Sequence, residues 1–569
     1  MPVGIYNMSL DSNKLALGVT LTLGLVVVLT FMFMHPEDKK FSPGEIIATT
    51  SGKVQGIQEG GVSVFKGIPY AAPPVGELRW RPPQPFKPGD DVLKASRFGP
   101  ACFQPDAPVR SGKFIGSEDC LYLNVWSPHP SPAVSLPVLF YIHGGAYFVG
   151  AASDHFKDSA GNELESYGGD VLAREFNVVV VTINYRLGTL GFLGHPALSA
   201  ETSYKGSGNY GFTDQIQALK WVQKNIQSFG GNPERMMIFG TSAGASSVTV
   251  LLASPEAKGL FSSAIIQSAD DYTTTLAEAE AKGITLAQAL HCDQTADTAR
   301  CLRSHSAKEI YEAIPLTMES GRAFPYAPNI DNYILPEPRL ALIEKGKYNR
   351  VPVIVLSTAE EYNSVIQTVY PEPITTEEEY QKAVREYWTF VPGGPEPIVR
   401  QYPSAEYASP YQALIAIFSD YSYTAPARRY ARALASHQND RVWKTVFAHT
   451  FRNGPWKYYG PAHGMQEAFI FQKFLTPPDP DELAFAKAVG RHWTTFAATG
   501  NPNSGIDPQW ETYDRHKDNY VSLEIPITVK SGFRPRQCDF WDSIQNQHYP
   551  PAARRARTDG GDARRQDPP

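Results

Sequence analysis

No stretch of the 569-residue chain repeats another, which excludes solenoid, propeller and tandem-array architectures. No stripe of lysine and arginine interleaved with aromatics runs through its interior, and the formal net charge is only −6, so nucleic acid is not an expected partner. Beyond Asn7-Met8-Ser9 there is no N-x-S/T sequon. No small-residue cleavage site follows the N-terminal apolar run, where the chain reads Phe31-Met32-Phe33-Met34-His35-Pro36, and no ER-retrieval tetrapeptide closes the C-terminus. From Pro551 onward the residues are mainly Ala, Arg, Gly, Asp and Pro, with nothing to pack, so 551–569 is expected to be a disordered basic tail. What is present is 42% hydrophobic residues, with 45 glycines and 47 prolines. That balance fits one large domain, expected over residues 41–548, with many loops.

Within it, Gly240-Thr241-Ser242-Ala243-Gly244 follows the apolar run Met236-Met237-Ile238-Phe239 and precedes the small-residue stretch Ala245 to Ala253. This reads as strand, sharp turn, helix. In a G-x-S-x-G elbow the flanking glycines relieve crowding at a strained turn, and the serine is held out towards substrate at a helix N-terminus. Upstream, Val138-Leu139-Phe140-Tyr141-Ile142 empties into His143-Gly144-Gly145-Ala146-Tyr147, a strand feeding a glycine-rich loop with exposed backbone N–H groups. Such donors stabilise a tetrahedral oxyanion, at roughly 3–4 kcal/mol each.

With further stretches, these motifs resemble the type-B carboxylesterase family of α/β-hydrolases, which includes cholinesterases, fungal lipases and the non-enzymatic neuroligins. The matching segments are Phe65-Lys66-Gly67-Ile68-Pro69-Tyr70-Ala71, Pro73 to Trp80, Ser117 to Asn124, Asn184-Tyr185-Arg186-Leu187-Gly188 and Asn225 to Pro233. The resemblance covers nearly all of residues 45–545. It implies a large, mostly parallel central sheet flanked by helices, with loop and helix insertions. It also implies ion pairs of Arg79 with Glu118 and Arg186 with Asp214, and an oxyanion hole from Gly145, Ala146 and Ala243, with Gly144 serving the turn.

A serine hydroxyl needs a base to take its proton and an acid to orient that base, in the chain order Ser, Asp or Glu, His. His463, in Gly460-Pro461-Ala462-His463-Gly464, resembles the family's histidine loop, whereas His449, inside an expected strand from Trp443 to Phe451, His492 and His291 read as structural or surface residues. The acid follows the strand Val351 to Val355, where Ser357-Thr358-Ala359-Glu360-Glu361-Tyr362-Asn363 resembles the family's acidic segment. The register selects Glu361, with Glu360 as the alternative. Tyr362 stands where the family has glycine, Leu356 replaces another, and Thr241 occupies a position where many relatives carry glutamate.

The five cysteines are residues 102, 120, 292, 301 and 538. The resemblance implies Cys102–Cys120 and Cys292–Cys301 disulfides, hence an oxidising compartment, with Cys538 a free thiol. The loop between Cys102 and Cys120 is short. Ala107 to Gly116 lacks both the large apolar surface of a lipase lid and the tryptophan that binds choline in cholinesterases. Residues 1–14 form a short N-terminal segment, and the uncharged run Leu15–Met34 is about long enough to span a bilayer. We read it as a transmembrane signal anchor with the domain on the luminal or extracellular side. A cleaved signal peptide and secretion are the alternative, and Lys14 before the run against Lys39-Lys40 after it weakly opposes this orientation.

The sequence therefore describes a serine hydrolase of carboxylic esters (EC 3.1.1), acting on small or medium-sized substrates through Ser242, His463 and Glu361 and an acyl-enzyme. It needs neither metal nor organic cofactor. Its expected partners are the ester and, through the N-terminal helix, a membrane. Two alternatives use the same chain differently: a catalytically silent tethered adhesion protein, and a thioesterase or acyltransferase. Asp270 and Asp271, after Ile265-Ile266-Gln267-Ser268-Ala269, are candidates to face the acyl group, with exposed loop carboxylates as the plainer expectation.

Overall fold

A computed structural model describes residues 42–548 except 107–112, 315–326, 504 and 506–507. The expected anchor at 15–34, the segment before it, the tail from 551 and the tip of the 107–116 loop lie outside the described residues. Among the described residues, no helix is long and apolar enough to cross a membrane.

A 13-stranded sheet organises the domain. In chain order its strands are β1 (Ser42–Thr49), β2 (Gly52–Glu59), β3 (Val62–Pro69), β4 (Leu93–Lys94), β5 (Tyr122–Ser127), β6 (Leu136–Ile142), β7 (Val179–Ile183), β8 (Gly231–Thr241), β9 (Ser263–Gln267), β10 (Val353–Thr358), β11 (Val442–Phe447), β12 (Asn519–Leu523) and β13 (Thr528–Ser531). Their spatial order is β1-β2-β3-β5-β7-β6-β8-β9-β10-β11-β12-β13, with β4 beside β2. From β7 to β12 every neighbouring pair is parallel, while β2–β3, β3–β5, β5–β7 and β12–β13 are antiparallel.

The central strands are apolar runs rather than alternating ones, because helices cover both of their faces. Successive side chains enter opposite cores. Val138, Phe140 and Ile142 of β6, with Ile238 of β8 and Val353 and Val355 of β10, pack on one side. Leu139 and Tyr141, with Met237, Phe239, Ile354 and Leu356, pack on the other. Helices α1 (Tyr210–Asn225), α2 (Ala243–Ala253), α3 (Arg339–Glu344) and α5 (Ala425–Ala435) contribute to the first core, and α6 (Pro480–Thr499) to the second. Helix α4 (Pro410–Ser419) helps form a third cluster with Trp388 and Trp541. Strand β11 ends at Phe447, so His449 follows the strand instead of lying inside it.

Cys102–Cys120 and Cys292–Cys301 are disulfide-bonded. Cys538, on the C-terminal helix Pro535–His548, is a buried free thiol, and burial pushes it up to about 12. Arg186 meets Asp214 of α1 in a bidentate pair, with Nε to Oδ2 at 2.8 Å and Nη2 to Oδ1 at 2.7 Å, and the two side chains are 3% and 0% exposed. Arg79 holds Glu118 the same way, Nε and Nη2 each 2.6 Å from a carboxylate oxygen, although Glu118 is 17% exposed. Removing one charge of a buried pair strands the other in low dielectric, at a cost of about 3–5 kcal/mol. We expect Asp214→Asn to lose that much in urea denaturation and Glu118→Gln distinctly less. Equal losses would show that burial does not set the difference.

Candidate active site

Strand β8 ends at Thr241 and α2 begins at Ala243, so Ser242 alone makes the turn. Its φ of 61° and ψ of −126° are costly for a residue with a Cβ, on the order of 1–3 kcal/mol, and persist only where the surroundings over-determine them. They do: the Ser242 N–H donates to the Gln267 carbonyl at 3.0 Å, and the Ser242 carbonyl accepts from the Ser246 N–H at 2.9 Å. The loop leaving β6 presses on this turn. A Cβ on Gly244 would lie 2.0 Å from the Ile142 carbonyl oxygen, and one on Gly144 would lie 3.1 Å from the Ser242 Cβ. Only glycine lets these two backbones meet.

Gly145, Ala146 and Tyr147 take consecutive φ values of 101°, 59° and 60°. The turn is closed by the Phe148 and Val149 N–H groups, both donating to the Gly145 carbonyl at 2.9 Å, and by Tyr147, whose buried ring packs 5.0 Å from Phe192 and 5.5 Å from Phe212. Left-handed turns of this kind suit anion-binding concavities. Gly145 and Ala146 thus belong to the loop that touches the elbow, and Ala243 opens the helix after it. Beneath the loop, His143 is buried and stacks on Tyr185 at 4.5 Å. Its Nδ1 is 2.8 Å from the Gly144 carbonyl, while Nε2 has no partner among the described residues.

The acidic segment follows β10 and the histidine loop follows β11, so both start from the same edge of the sheet as the elbow. Glu361 is fully buried. Its Oε1 accepts from the Thr358 N–H and from the Ser268 hydroxyl, both at 2.6 Å, and its Oε2 lies 2.6 Å from His463 Nδ1. The Glu361 carbonyl also accepts from the His463 N–H at 3.1 Å. A carboxylate can only accept, so Nδ1 carries the proton and Nε2 of the neutral ring is left as the acceptor. His463 is 14% exposed, enough to meet a reactant. Glu360 is turned elsewhere: its Oε2 accepts from Asn363 Nδ2 at 2.9 Å.

Thr241 accepts from Gln466 Nε2 at 3.2 Å and interacts with the carboxyl of Glu467. Glu467 also accepts from the Tyr141 hydroxyl and interacts electrostatically with His463, and burial raises its carboxyl. An acidic group therefore still lies beside the elbow, supplied from the helix after the histidine. Asp270 and Asp271 are not simple exposed carboxylates. Asp270 accepts from the Ser246 hydroxyl at 2.6 Å and pairs with buried Arg339, and Asp271 pairs with Arg429 at 2.7 Å. His449 pairs with Glu482 at 3.0 Å, His492 is buried on Trp510, and His291 is exposed.

Sequence reasoning missed Ser268, Glu467 and Tyr423. Ser268 directly follows β9 beside the elbow and adopts a φ of 62°; its place after a neighbouring strand end is the signal that marks it. Among the described residues, the one cluster of metal-ligating side chains is Cys292, Cys301 and His305. Its two sulfurs are tied in a disulfide, which leaves no thiolate to coordinate.

Desolvation lowers His143 from its ordinary 6.5 to about 4, since a proton on Nε2 would have no partner. The unfolded chain binds a proton below pH 6.5 that the folded chain refuses until about pH 4. Stability from this group is therefore complete above 6.5, falls between 6.5 and 4, and is lower by about 3 kcal/mol below that. Urea midpoints from pH 7 to 5 are expected to fall less steeply in His143→Gln than in the wild type; parallel slopes would exclude His143 as the source.

A model of the carboxylesterase family matches residues 43–541. The chain is 33% identical over 543 residues to acetylcholinesterase of Bungarus fasciatus, covering 88% of this chain and 86% of that one. It is 34% identical over 484 residues to fumonisin B1 esterase of Sphingopyxis macrogoltabida, covering 82% and 84%. The elbow, the glycine loop and the parallel sheet belong with these similarities: the chain is a member of the carboxylesterase family, an α/β-hydrolase and a carboxylic ester hydrolase.

Proposed function

We propose that Ser242 is the nucleophile, His463 the general base and Glu361 the residue that orients it. Ser242 Oγ attacks the ester carbonyl as its proton passes to His463 Nε2. The oxyanion takes N–H donors from Gly145, Ala146 and Ala243. Collapse breaks the bond to the alcohol oxygen, which leaves with the proton from His463, and water repeats the sequence to free the acid and restore Ser242. The observation that carries this reading is the 2.6 Å contact between His463 Nδ1 and buried Glu361, beside a serine held in a strained turn. The short loop between Cys102 and Cys120 favours small or medium-sized soluble esters over a lipid interface.

The proposal extends to topology. Two disulfides favour an oxidising compartment, with Leu15–Met34 anchoring the domain or, alternatively, removed on secretion.

A fluorophosphonate probe is expected to label the wild type once, at Ser242. Ser242→Ala is expected to abolish both labelling and ester turnover with an unchanged melting curve; undiminished turnover would overturn the reading. For the acid, Glu361→Gln is expected to reduce kcat by about 10³–10⁴-fold and Glu360→Gln by less than about threefold, in steady-state assays on a p-nitrophenyl ester. The reverse ranking would move the triad by one residue.

A further inference from the structure

Helices α4 and α5 are joined without a break by a five-residue π-helical turn, Asp420–Thr424, closed by the Ala425 N–H donating to the Asp420 carbonyl. Such single turns recur at functional sites because they displace a side chain from the helical register. This one is pinned from two directions. Buried Asp420 accepts from the Tyr402 hydroxyl at 3.0 Å and from Arg534 at 3.1 Å. The Tyr362 N–H, next to Glu361 in the chain, donates to Ser419 Oγ at 3.0 Å.

The side chain that the turn delivers is Tyr423, 6% exposed. Its ring lies nearly flat on the imidazole of His463, with centroids 4.5 Å apart and planes at 29°. It is tilted by 34° from the ring of Tyr362, with centroids 6.1 Å apart. Its hydroxyl interacts with the side chain of Ser242. One residue thus stacks on the base and interacts with the nucleophile. Burial raises its phenol well above the ordinary value, so the hydroxyl keeps its proton at working pH.

We propose that Tyr423 is a catalytic residue whose O–H hydrogen-bonds to Ser242 Oγ when that oxygen carries negative charge, above all when it departs from the acyl-enzyme. In that step water, deprotonated by His463, adds to the acyl carbon. The tetrahedral adduct expels Ser242 Oγ, which recovers its proton from His463, and Tyr423 lends a hydrogen bond without giving up its own proton. The inference rests on Ser242 being the nucleophile.

Tyr423→Phe removes the hydroxyl and keeps the ring on His463. A hydrogen bond to a charged oxygen is worth roughly a tenfold rate or more. With a p-nitrophenyl ester, kcat is expected to fall at least about tenfold, with KM falling in parallel and kcat/KM changing much less, because acyl-enzyme accumulates. A stopped-flow burst approaching one equivalent is expected to appear or grow. As a second arm, Tyr423→3-fluorotyrosine, with a more acidic hydroxyl, is expected to raise the deacylation rate above wild type. Wild-type kcat and KM in Tyr423→Phe, or a loss confined to kcat/KM, overturns the proposal, as does a slower fluorotyrosine variant. Retained turnover in Ser242→Ala is a separate result, which removes the nucleophile assignment itself.

Discussion

The close approach of two backbones at the carboxyl ends of β6 and β8 governs everything around it. These strands are neighbours in the parallel sheet, so the loops that leave them emerge side by side, and Gly144 and Gly244 let them touch where any side chain would collide with a carbonyl or with Ser242. The strained conformation of Ser242 and the left-handed turn at Gly145 to Tyr147 are both held by that contact. Neither would persist in an isolated peptide, since each is unfavourable without the tertiary packing that fixes it. Geometry at Ser242 is therefore a property of the sheet.

The electrostatics follow the same logic of enclosure. Glu361 is admitted to a fully buried position because a backbone N–H, a serine hydroxyl and an imidazole meet its two oxygens. Asp270 and Asp271 are tied to Arg339 and Arg429, so the loop after β9 presents paired charges. A single new unpaired carboxylate here would be felt by His463, whereas the existing ones are largely neutralised by their partners.

The elements that proved legible in the sequence are those with local causes. The apolar runs of β6 and β8 and the glycines at 144, 240 and 244 leave marks within a few residues, whereas the cysteine pairing and the fold class came from the resemblance of longer stretches to the carboxylesterase family. Register selected Glu361 over the alternative Glu360, but both carboxylates follow β10, and which of them meets His463 depends on the fold of the turn between them and the histidine loop. Tyr423 was not legible, since nothing in Asp420–Thr424 announces a π-helical turn, and its neighbours Ser242 and His463 lie far away in the chain. Thr241 invited the inference that a carboxylate was lost. Glu467 places a buried acidic group near His463 from the helix after the histidine, a neighbourhood in space that no local pattern encodes.

Cys538 ends up as an internal clock. Cys538 lies on the helix Pro535–His548, fully buried in the third cluster, and burial pushes its thiol up to about 12, so little of the thiolate that disulfide exchange requires forms near neutral pH. In an oxidising compartment an odd cysteine invites scrambling with Cys102–Cys120 or Cys292–Cys301 and pairing between chains. Here that chemistry waits for the terminal helix to open, so the rate at which the thiol reacts reports how often the last segment of the domain detaches.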